Sequence, residues 1–115
     1  MAKATGESVQ LLKGTLDLIV MKTLSWGPMH GYGIATWLES QSGGALGVDD
    51  SALYQALHRL EAKQLVDAEW GMTPTNRQAR FYRLTPVGRR HLKAETAGWL
   101  RYADSVRTVL TATGR

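Results

Sequence analysis

Cysteine is absent from this chain of 115 residues. Its absence excludes a disulfide framework, a thiolate metal site and a cysteine nucleophile, and it fits a reducing cytoplasm. A long apolar run is also missing, because the best candidate, Leu16 to Val20, is broken by Asp17 and falls far short of the roughly 18 residues that span a bilayer. The first fifteen residues lack the basic start and apolar stretch of a signal peptide. We therefore expect a soluble, cytoplasmic protein with no membrane contact.

Motifs for catalysis are missing too. There is no glycine-rich phosphate loop with Lys and Ser/Thr, no nucleophile elbow and no pair of carboxylates placed for acid–base chemistry. The three histidines, His30, His58 and His91, form neither a pair four residues apart nor a cluster with acids. A metal site is therefore not expected, and His30 is instead placed to cap a helix. The sequence predicts a protein that is not an enzyme and needs no cofactor.

Positive charge is concentrated in one part of the chain, although the net charge is only +4. Residues 1–50 hold three Lys against five Asp and Glu, whereas residues 51–93 hold eight Lys and Arg against three acids. Residues 94–115 add three Arg and two acids. A basic segment of this kind favours a polyanionic partner, although it also fits a simple solvated face.

The sequence predicts three helices up to about residue 63. Apolar residues at helical spacing predict a first helix over 8–25, which Trp26-Gly27-Pro28 ends, with Gly14 inside it or in a frayed first turn. A second helix covers 31–41 and stops at Ser42-Gly43-Gly44. A third covers about 50–63, with Asp49 or Asp50 as its cap and Leu53, Ala56, Leu57 and Leu60 facing inward.

A hairpin and a long helix follow. Alternating residues predict strands over Leu65–Trp70 and Arg80–Thr85, joined by a loop over Gly71–Ala79, with Tyr82 and Leu84 packed and Arg83 outward. Thr85 and Pro86 suit the cap and first position of a final helix over 86–112. Along it an apolar stripe repeats at spacings of four and three, which is typical of a helix that packs on a partner helix. Its members are Leu92, Thr96, Trp99, Ala103, Val106 and Leu110.

This order of elements predicts a mainly α fold with a small β-hairpin, an α+β winged helix-turn-helix. We expect a flexible segment over 1–7, a DNA-binding domain over 8–85 and a dimerisation helix over 86–112. The N-terminal half of the third helix would enter the major groove. Gln55, His58 and Arg59 are the candidates for reading bases, and Ser51 and Tyr54 for phosphate contacts. Alternatively, Tyr54 packs on the first helix and Arg59 pairs with a nearby acid.

The loop over Gly71–Ala79 is the predicted wing. Arg77 and Arg80 would meet phosphates or reach the minor groove, or else they only keep the hairpin soluble. The rival hypothesis for the whole domain is a winged helix that binds another protein and not DNA. The basic charge on the third helix and the wing favours DNA.

Four segments together resemble the PadR family of bacterial transcriptional regulators. They are Lys13-Gly14-Thr15-Leu16-Asp17, Gly27-Pro28-Met29-His30-Gly31-Tyr32, Leu53-Tyr54-Gln55-Ala56-Leu57-His58-Arg59-Leu60 and Arg80-Phe81-Tyr82-Arg83-Leu84-Thr85-Pro86-Val87-Gly88. The single short C-terminal helix is similar to the smaller PadR subfamily. A branch found in soil bacteria of the acidobacterial kind, often encoded near ABC-type permeases, is resembled by two runs, Trp26-Gly27-Pro28-Met29-His30-Gly31-Tyr32-Gly33-Ile34 and Glu69-Trp70-Gly71.

The resemblance implies a homodimer that binds a palindromic operator in double-stranded DNA, acts mostly as a repressor and is released by small molecules or stress signals. It implies that the final helices form much of the dimer interface. It also implies that Trp99 lines a hydrophobic cavity between protomers or is interface core. Lys13, Gly14 and Thr15 match a position where the first helix meets the DNA backbone. Ala52 and Gln55 depart from the family's usual hydroxyl and proline, so one phosphate contact depends on Ser51.

Overall fold

The computed structural model describes residues 14–114. Within these residues, four helices and a small sheet follow one another. The elements are α1 (Thr15–Leu24), β1 (Met29–His30), α2 (Gly31–Gln41), α3 (Asp50–Ala62), β2 (Val66–Met72), β3 (Gln78–Leu84) and α4 (Pro86–Leu110). This is the predicted α+β architecture, with β2 and β3 forming the wing hairpin after α3.

Capping residues fix where α3 and α4 begin. The Asp49 side chain accepts a hydrogen bond of 2.8 Å from the backbone N–H of Ala52. This is the N-terminal end of α3, where the helix dipole favours a carboxylate. The Thr85 hydroxyl does the same for Gly88 at 2.9 Å, and Pro86 occupies the first position of α4. These three predictions from the sequence are confirmed.

The sheet has three antiparallel strands in the order β1–β3–β2. Strand β2 pairs with β3 over seven residues, from Val66 opposite Leu84 to Met72 opposite Gln78. On the other side of β3, Met29 pairs with Tyr82 and His30 with Phe81. The short strand β1 was not predicted. Its pairing with β3 connects the start of α2 to the wing.

One core holds the helices and the sheet together. It is built from α1, α2, α3, both wing strands and the first turns of α4. Leu53, Ala56, Leu57 and Leu60 of α3 are all buried, as their spacing predicts, and so are Tyr82 and Leu84, while Arg83 points outward. The core thus fixes the position of α3 against the wing.

Several predicted boundaries were wrong. Helix α1 starts at Thr15, because Gly14 has a left-handed φ of 86° that no right-handed helix contains; the predicted residues 8–13 lie outside the described part. The wing loop is shorter than 71–79, since Gly71 and Ala79 still pair in the sheet. Helix α4 ends at Leu110 and not at 112. Leu65 stands in the turn after α3, where its N–H bonds to the carbonyl of Leu60.

Candidate nucleic-acid interface

Helix α3 turns a polar face outward. Because its leucines are buried in the core, Ser51, Gln55 and His58 are left exposed on the other side of the helix. The Gln55 amide lies 3.5 Å from the Ser51 hydroxyl, one turn earlier. These three predicted contact residues therefore share one accessible surface near the N-terminal half of the helix, with their polar atoms available to a ligand.

Tyr54 lies across the start of α2. A Cβ atom added at Gly31 would collide with the Tyr54 hydroxyl and would stand 2.7 Å from the adjoining ring carbon. A side chain at this position would displace the Tyr54 ring, so Gly31 lets the ring lie close to the start of α2. The ring is still half exposed, and the hydroxyl stays near the surface of α3.

Arg59 is held by an acid from another helix. Its Nε donates to Asp17 Oδ2 at 3.2 Å and its Nη2 donates to Asp17 Oδ1 at 2.6 Å. The hydrogen bond to Asp17 raises the pKa of the Arg59 guanidinium, with some opposition from desolvation. The Arg59 side chain nevertheless remains 48% exposed. It thus pairs with an acid, as the alternative reading of the sequence had it, while remaining open to solvent.

The wing ends in a tight turn that presents Arg77. The N–H of Thr73 donates to the Arg77 carbonyl at 2.8 Å, and the Arg77 N–H donates to the Thr73 hydroxyl at 3.1 Å. Asn76 takes a left-handed φ of 65°, which asparagine tolerates better than most residues. Among the ion pairs found within residues 14–114, none involves Arg77. Its charge at the wing tip is therefore not neutralised by a neighbouring acid.

Arg80 is the second wing arginine, and it is fixed in place. Its Nη2 lies 3.0 Å from Glu61 Oε2, and its guanidinium lies 5.8 Å from the centre of the Tyr82 ring. Burial raises the pKa of the Tyr82 phenol, which nearby Arg80 partly offsets. The ion pair with Glu61 joins the wing to α3.

A cleft of about 390 Å³ separates α3 from the wing. On one side stand Tyr54 and the start of α2, and on the other Gln78, Arg80 and Trp70. Tyr82 forms its floor. The cleft brings together two residues predicted from separate segments, Tyr54 of α3 and Arg80 of β3.

The predicted contacts at the start of the first helix lie elsewhere. Gly14 stands beside Lys63 and the α4 residues His91 and Glu95, and Thr15 faces α4. The Thr15 hydroxyl is buried and has no hydrogen-bond partner within the described residues. Lys13 lies outside them. The structure therefore does not bring Gly14 and Thr15 together with the wing or the N-terminal half of α3.

Helix α4 carries the predicted stripe, and much of it is uncovered. Leu92 is buried against the core, but further along the helix Trp99 and Val106 are 38% exposed and Leu110 is 77% exposed. Between α1 and α4 lies an open groove of about 780 Å³. Its floor is apolar and includes Leu18, Ile19, Leu92, Trp99 and Leu100. Ala103 lies partly buried on the same stripe.

Two further kinds of site find no support in the described part of the chain. No group of three or more His, Asp or Glu side chains within it has a geometry that would hold a metal ion. Of the helices in the same part, none has the length and apolar character needed to cross a membrane.

The His30 side chain does not cap α2 by a hydrogen bond; it lies against Phe81, with ring centres 5.3 Å apart.

Residues 20–94 match the family model for the transcriptional regulator PadR-like family. The chain belongs to the PadR-like family of transcriptional regulators. The PadR-like regulator of Bacillus cereus shares the fold with a TM-score of 0.77 at 21% identity, over 91% of this chain and 100% of that one. Bacillus subtilis PadR, solved in complex with operator DNA, gives a TM-score of 0.63 at 21% identity, over 71% of this chain and 47% of that one.

A relative of known sequence is a 37.1 kDa protein of transposon TN4556 from Streptomyces fradiae. It is 42% identical over 90 residues, which make up 78% of this chain. This PadR-like chain spans only 24% of that protein's length.

Sequence reasoning missed three residues of the interface. Asp17 and Glu61 hold Arg59 and Arg80, but they are 42 and 19 residues away from their partners, so no local spacing signals either pair. Trp70 was read as part of an alternating strand. Its pairing opposite Arg80 places Trp70 in the cleft of the PadR-like domain. The sequence feature that could have indicated this role is an aromatic residue within a basic hairpin.

Proposed function

We propose that this PadR-like regulator acts in the cytoplasm as a homodimer that binds a palindromic operator. The exposed face of α3 would lie in the major groove, and the wing would follow the adjacent backbone. The observation that carries the proposal is the fixed placement of Tyr54 and Arg80 on the two sides of one cleft, beside the exposed Ser51, Gln55 and His58. This arrangement gives a recognition helix and a wing that can engage one duplex at once.

Arg59 can serve as a base contact only if it exchanges Asp17 for DNA. A surface ion pair contributes about 1 kcal/mol or less, and this pair is half exposed on the Arg59 side but only 17% exposed on the Asp17 side. A bidentate arginine–guanine contact discriminates by about 1–3 kcal/mol. Because the guanidinium is half exposed, the exchange needs little rearrangement. We therefore retain Gln55, His58 and Arg59 as base-reading residues, and Ser51 and Tyr54 as phosphate contacts. We also retain Lys13, Gly14 and Thr15 as a separate DNA-backbone contact region.

The dimer would form through α4. An apolar stripe that continues past the core to Leu110 has nothing to cover it within one protomer, so a second α4 is the natural partner. Two copies would then present two α3 helices to successive turns of a duplex. This symmetry is what a palindromic operator requires.

We also propose that the regulator represses its own operon or a neighbouring transporter operon, and that a small hydrophobic ligand releases it. The groove beside Trp99 has the size of a typical ligand site. Helix α1 forms one wall of that groove through Leu18 and Ile19, and it also carries Asp17, which holds Arg59. Movement of α1 on ligand binding would therefore reach α3 directly.

The test is a gel-shift titration on a duplex from the gene's own upstream region at several salt concentrations. We expect tight binding that weakens steeply with salt. Arg77→Ala should weaken binding to operator and random DNA alike and flatten the salt dependence, because it removes a phosphate contact. Gln55→Ala should lower the preference for the operator by about 1–3 kcal/mol.

A native protein that ignores its own upstream sequence even in dilute salt would favour the rival function, a winged helix that binds another protein. Equal losses on operator and random DNA for Gln55→Ala would show that Gln55 does not read bases.

A further inference from the structure

Trp70 is a large apolar residue that neither the core nor the α4 stripe explains. It stands on β2 opposite Arg80, on the sheet face that looks toward α3, and its side chain is 66% exposed. Met72, two residues along on the same face, is 56% exposed as well. Two exposed apolar side chains on a short hairpin leave apolar area in water unless a ligand covers it.

Cationic and apolar side chains lie side by side around Trp70. Its neighbour across the strands is the Arg80 guanidinium, held by Glu61 and stacked near Tyr82. Beyond Met72 and Gln78 the hairpin ends at Arg77, a cation for which no ion pair is found within residues 14–114. Trp70 therefore offers an apolar surface with Arg80 directly across the strands in the cleft and with Arg77 further along the wing, at its tip.

A DNA strand has the matching chemistry. Its backbone alternates charged phosphates with deoxyribose rings, whose exposed C–H edges are apolar. Residues 51–93, which contain the wing, carry eight Lys and Arg against three acids. This positive charge favours a polyanionic ligand such as DNA over a protein surface that has few acidic residues. The wall opposite Trp70 is Tyr54, a residue that already belongs to the proposed DNA contact.

We propose that the Trp70 indole, with Met72 beside it, packs on the deoxyribose edge of the DNA strand that lies between α3 and the wing. The contact is apolar and makes no demand on the base sequence. It sets how deeply the wing sits on the duplex, while Arg77 neutralises one flanking phosphate and Arg80 reaches another by exchanging Glu61 for DNA, as Arg59 exchanges Asp17. This inference rests on the proposed DNA-binding function and adds a non-ionic anchor to it.

The test compares Trp70→Ala with Trp26→Ala in the full-length protein, by fluorescence anisotropy on labelled operator and random duplexes over a range of salt. Trp26 is the matched control, because it is 67% exposed but lies after α1 beside Lys22 and away from the cleft. Trp70→Ala should weaken binding to both duplexes by about ten-fold, or about 1.4 kcal/mol. The slope of log affinity against log salt should stay at the wild-type value, since no counterion is released by an indole.

Trp26→Ala should bind like the wild type. Unchanged affinity for Trp70→Ala, or a loss that comes with a flatter salt slope, would overturn the inference. So would a Trp70→Ala variant whose defect is loss of the dimer in sedimentation, because that result would make Trp70 a protein contact. Failure of the wild-type protein to bind any duplex would instead remove the proposed function itself.

A second readout does not depend on the alanine variant folding. The indole Nε1–H signals of the wild-type protein are followed by NMR as duplex is added, with the Trp70 signal assigned by Trp70→Phe. The Trp70 signal should shift and the Trp26 signal should not. A Trp70 signal that stays in place at saturating DNA would contradict the inference.

Discussion

In the proposed complex, Arg59 has two competing partners, the Asp17 carboxylate and the DNA. The bidentate pair is half exposed on the Arg59 side, whereas the Asp17 side chain is only 17% exposed, and it neutralises a cation on α3. In the proposed complex, Asp17 is therefore expected to tune DNA affinity.

Replacing Asp17 tests that role. In Asp17→Asn, Arg59 keeps its charge and loses its anionic partner, so the affinity for operator and random DNA should rise several-fold. The salt dependence should also steepen by up to about one phosphate contact. Binding is measured by anisotropy on the two duplexes.

The control for this prediction is Asp67→Asn. It also removes one carboxylate paired with an arginine, Arg83, but that pair lies on the sheet face turned away from α3. The control should leave affinity nearly unchanged. Equal gains for the two variants would reduce the effect of Asp17 to net charge alone.

At the scale of elements, close packing at two glycines fixes how the helices sit. Gly31 leaves room for the Tyr54 ring, and Gly88 lets the first turn of α4 approach the backbone carbonyl of Leu65. A Cβ atom at Gly88 would collide with that carbonyl oxygen and stand 3.0 Å from its carbon, and backbone atoms cannot move aside as a side chain can. Gly88 therefore sets the angle at which α4 leaves the domain.

Gly88→Ala should lower the free energy of unfolding by about 1–3 kcal/mol, as expected for overpacking against the backbone. Gly98→Ala in the same helix is the matched control, because a Cβ atom there meets nothing within 4 Å. That change should be neutral or stabilise by up to about 1 kcal/mol, from helix propensity. Chemical denaturation of both variants measures the two effects. Equal stabilities would show that the contact with Leu65 relaxes freely.

Local chemistry predicted the elements well where a cap or a periodic stripe marks them. Asp49, Thr85 and Pro86 each act within four residues of their own position, so the starts of α3 and α4 could be read from the sequence. Strand β1 could not, because its two residues form a strand only by pairing with β3, some fifty residues later. The wing loop was predicted too long for a similar reason, since Gly71 and Ala79 lie in the sheet through pairing with each other.

The candidate site, too, could be predicted from the sequence only in part. Ser51, Tyr54, Gln55, His58 and Arg59 follow from one helical wheel, and their exposure agrees with it. The partners that hold the arginines are long-range contacts, which no single stretch of sequence encodes. Nor could spacing show that Thr15 faces α4.

At the scale of the whole molecule, the fold is long for its size, with extents of 60 × 37 × 20 Å. Helix α4 accounts for this shape, because its 25 residues would span about 37 Å and its later turns extend beyond the core. An isolated helix of that kind with an uncovered apolar stripe is stabilised by a partner more than by its own propensity. Dimerisation and folding of α4 are therefore expected to be coupled.

Val106→Asp should break the dimer, because it puts a charge in the middle of the stripe. The control is the neighbouring Ser105→Asp, which places the same charge on the exposed opposite side, where the Ser105 hydroxyl only bonds back to Arg101. Sedimentation equilibrium should give a monomer for the first variant and a dimer for the second. A dimer in both cases would move the interface away from α4.

The most direct measurement is the mass of the complex that the wild-type protein forms with a duplex from its own upstream region, by sedimentation velocity at low and moderate salt. Two chains per duplex at low salt, with dissociation as the salt concentration rises, are the predicted result. A single chain on the duplex, or free protein and free DNA at every salt concentration, would contradict a dimer that reads DNA through paired recognition helices.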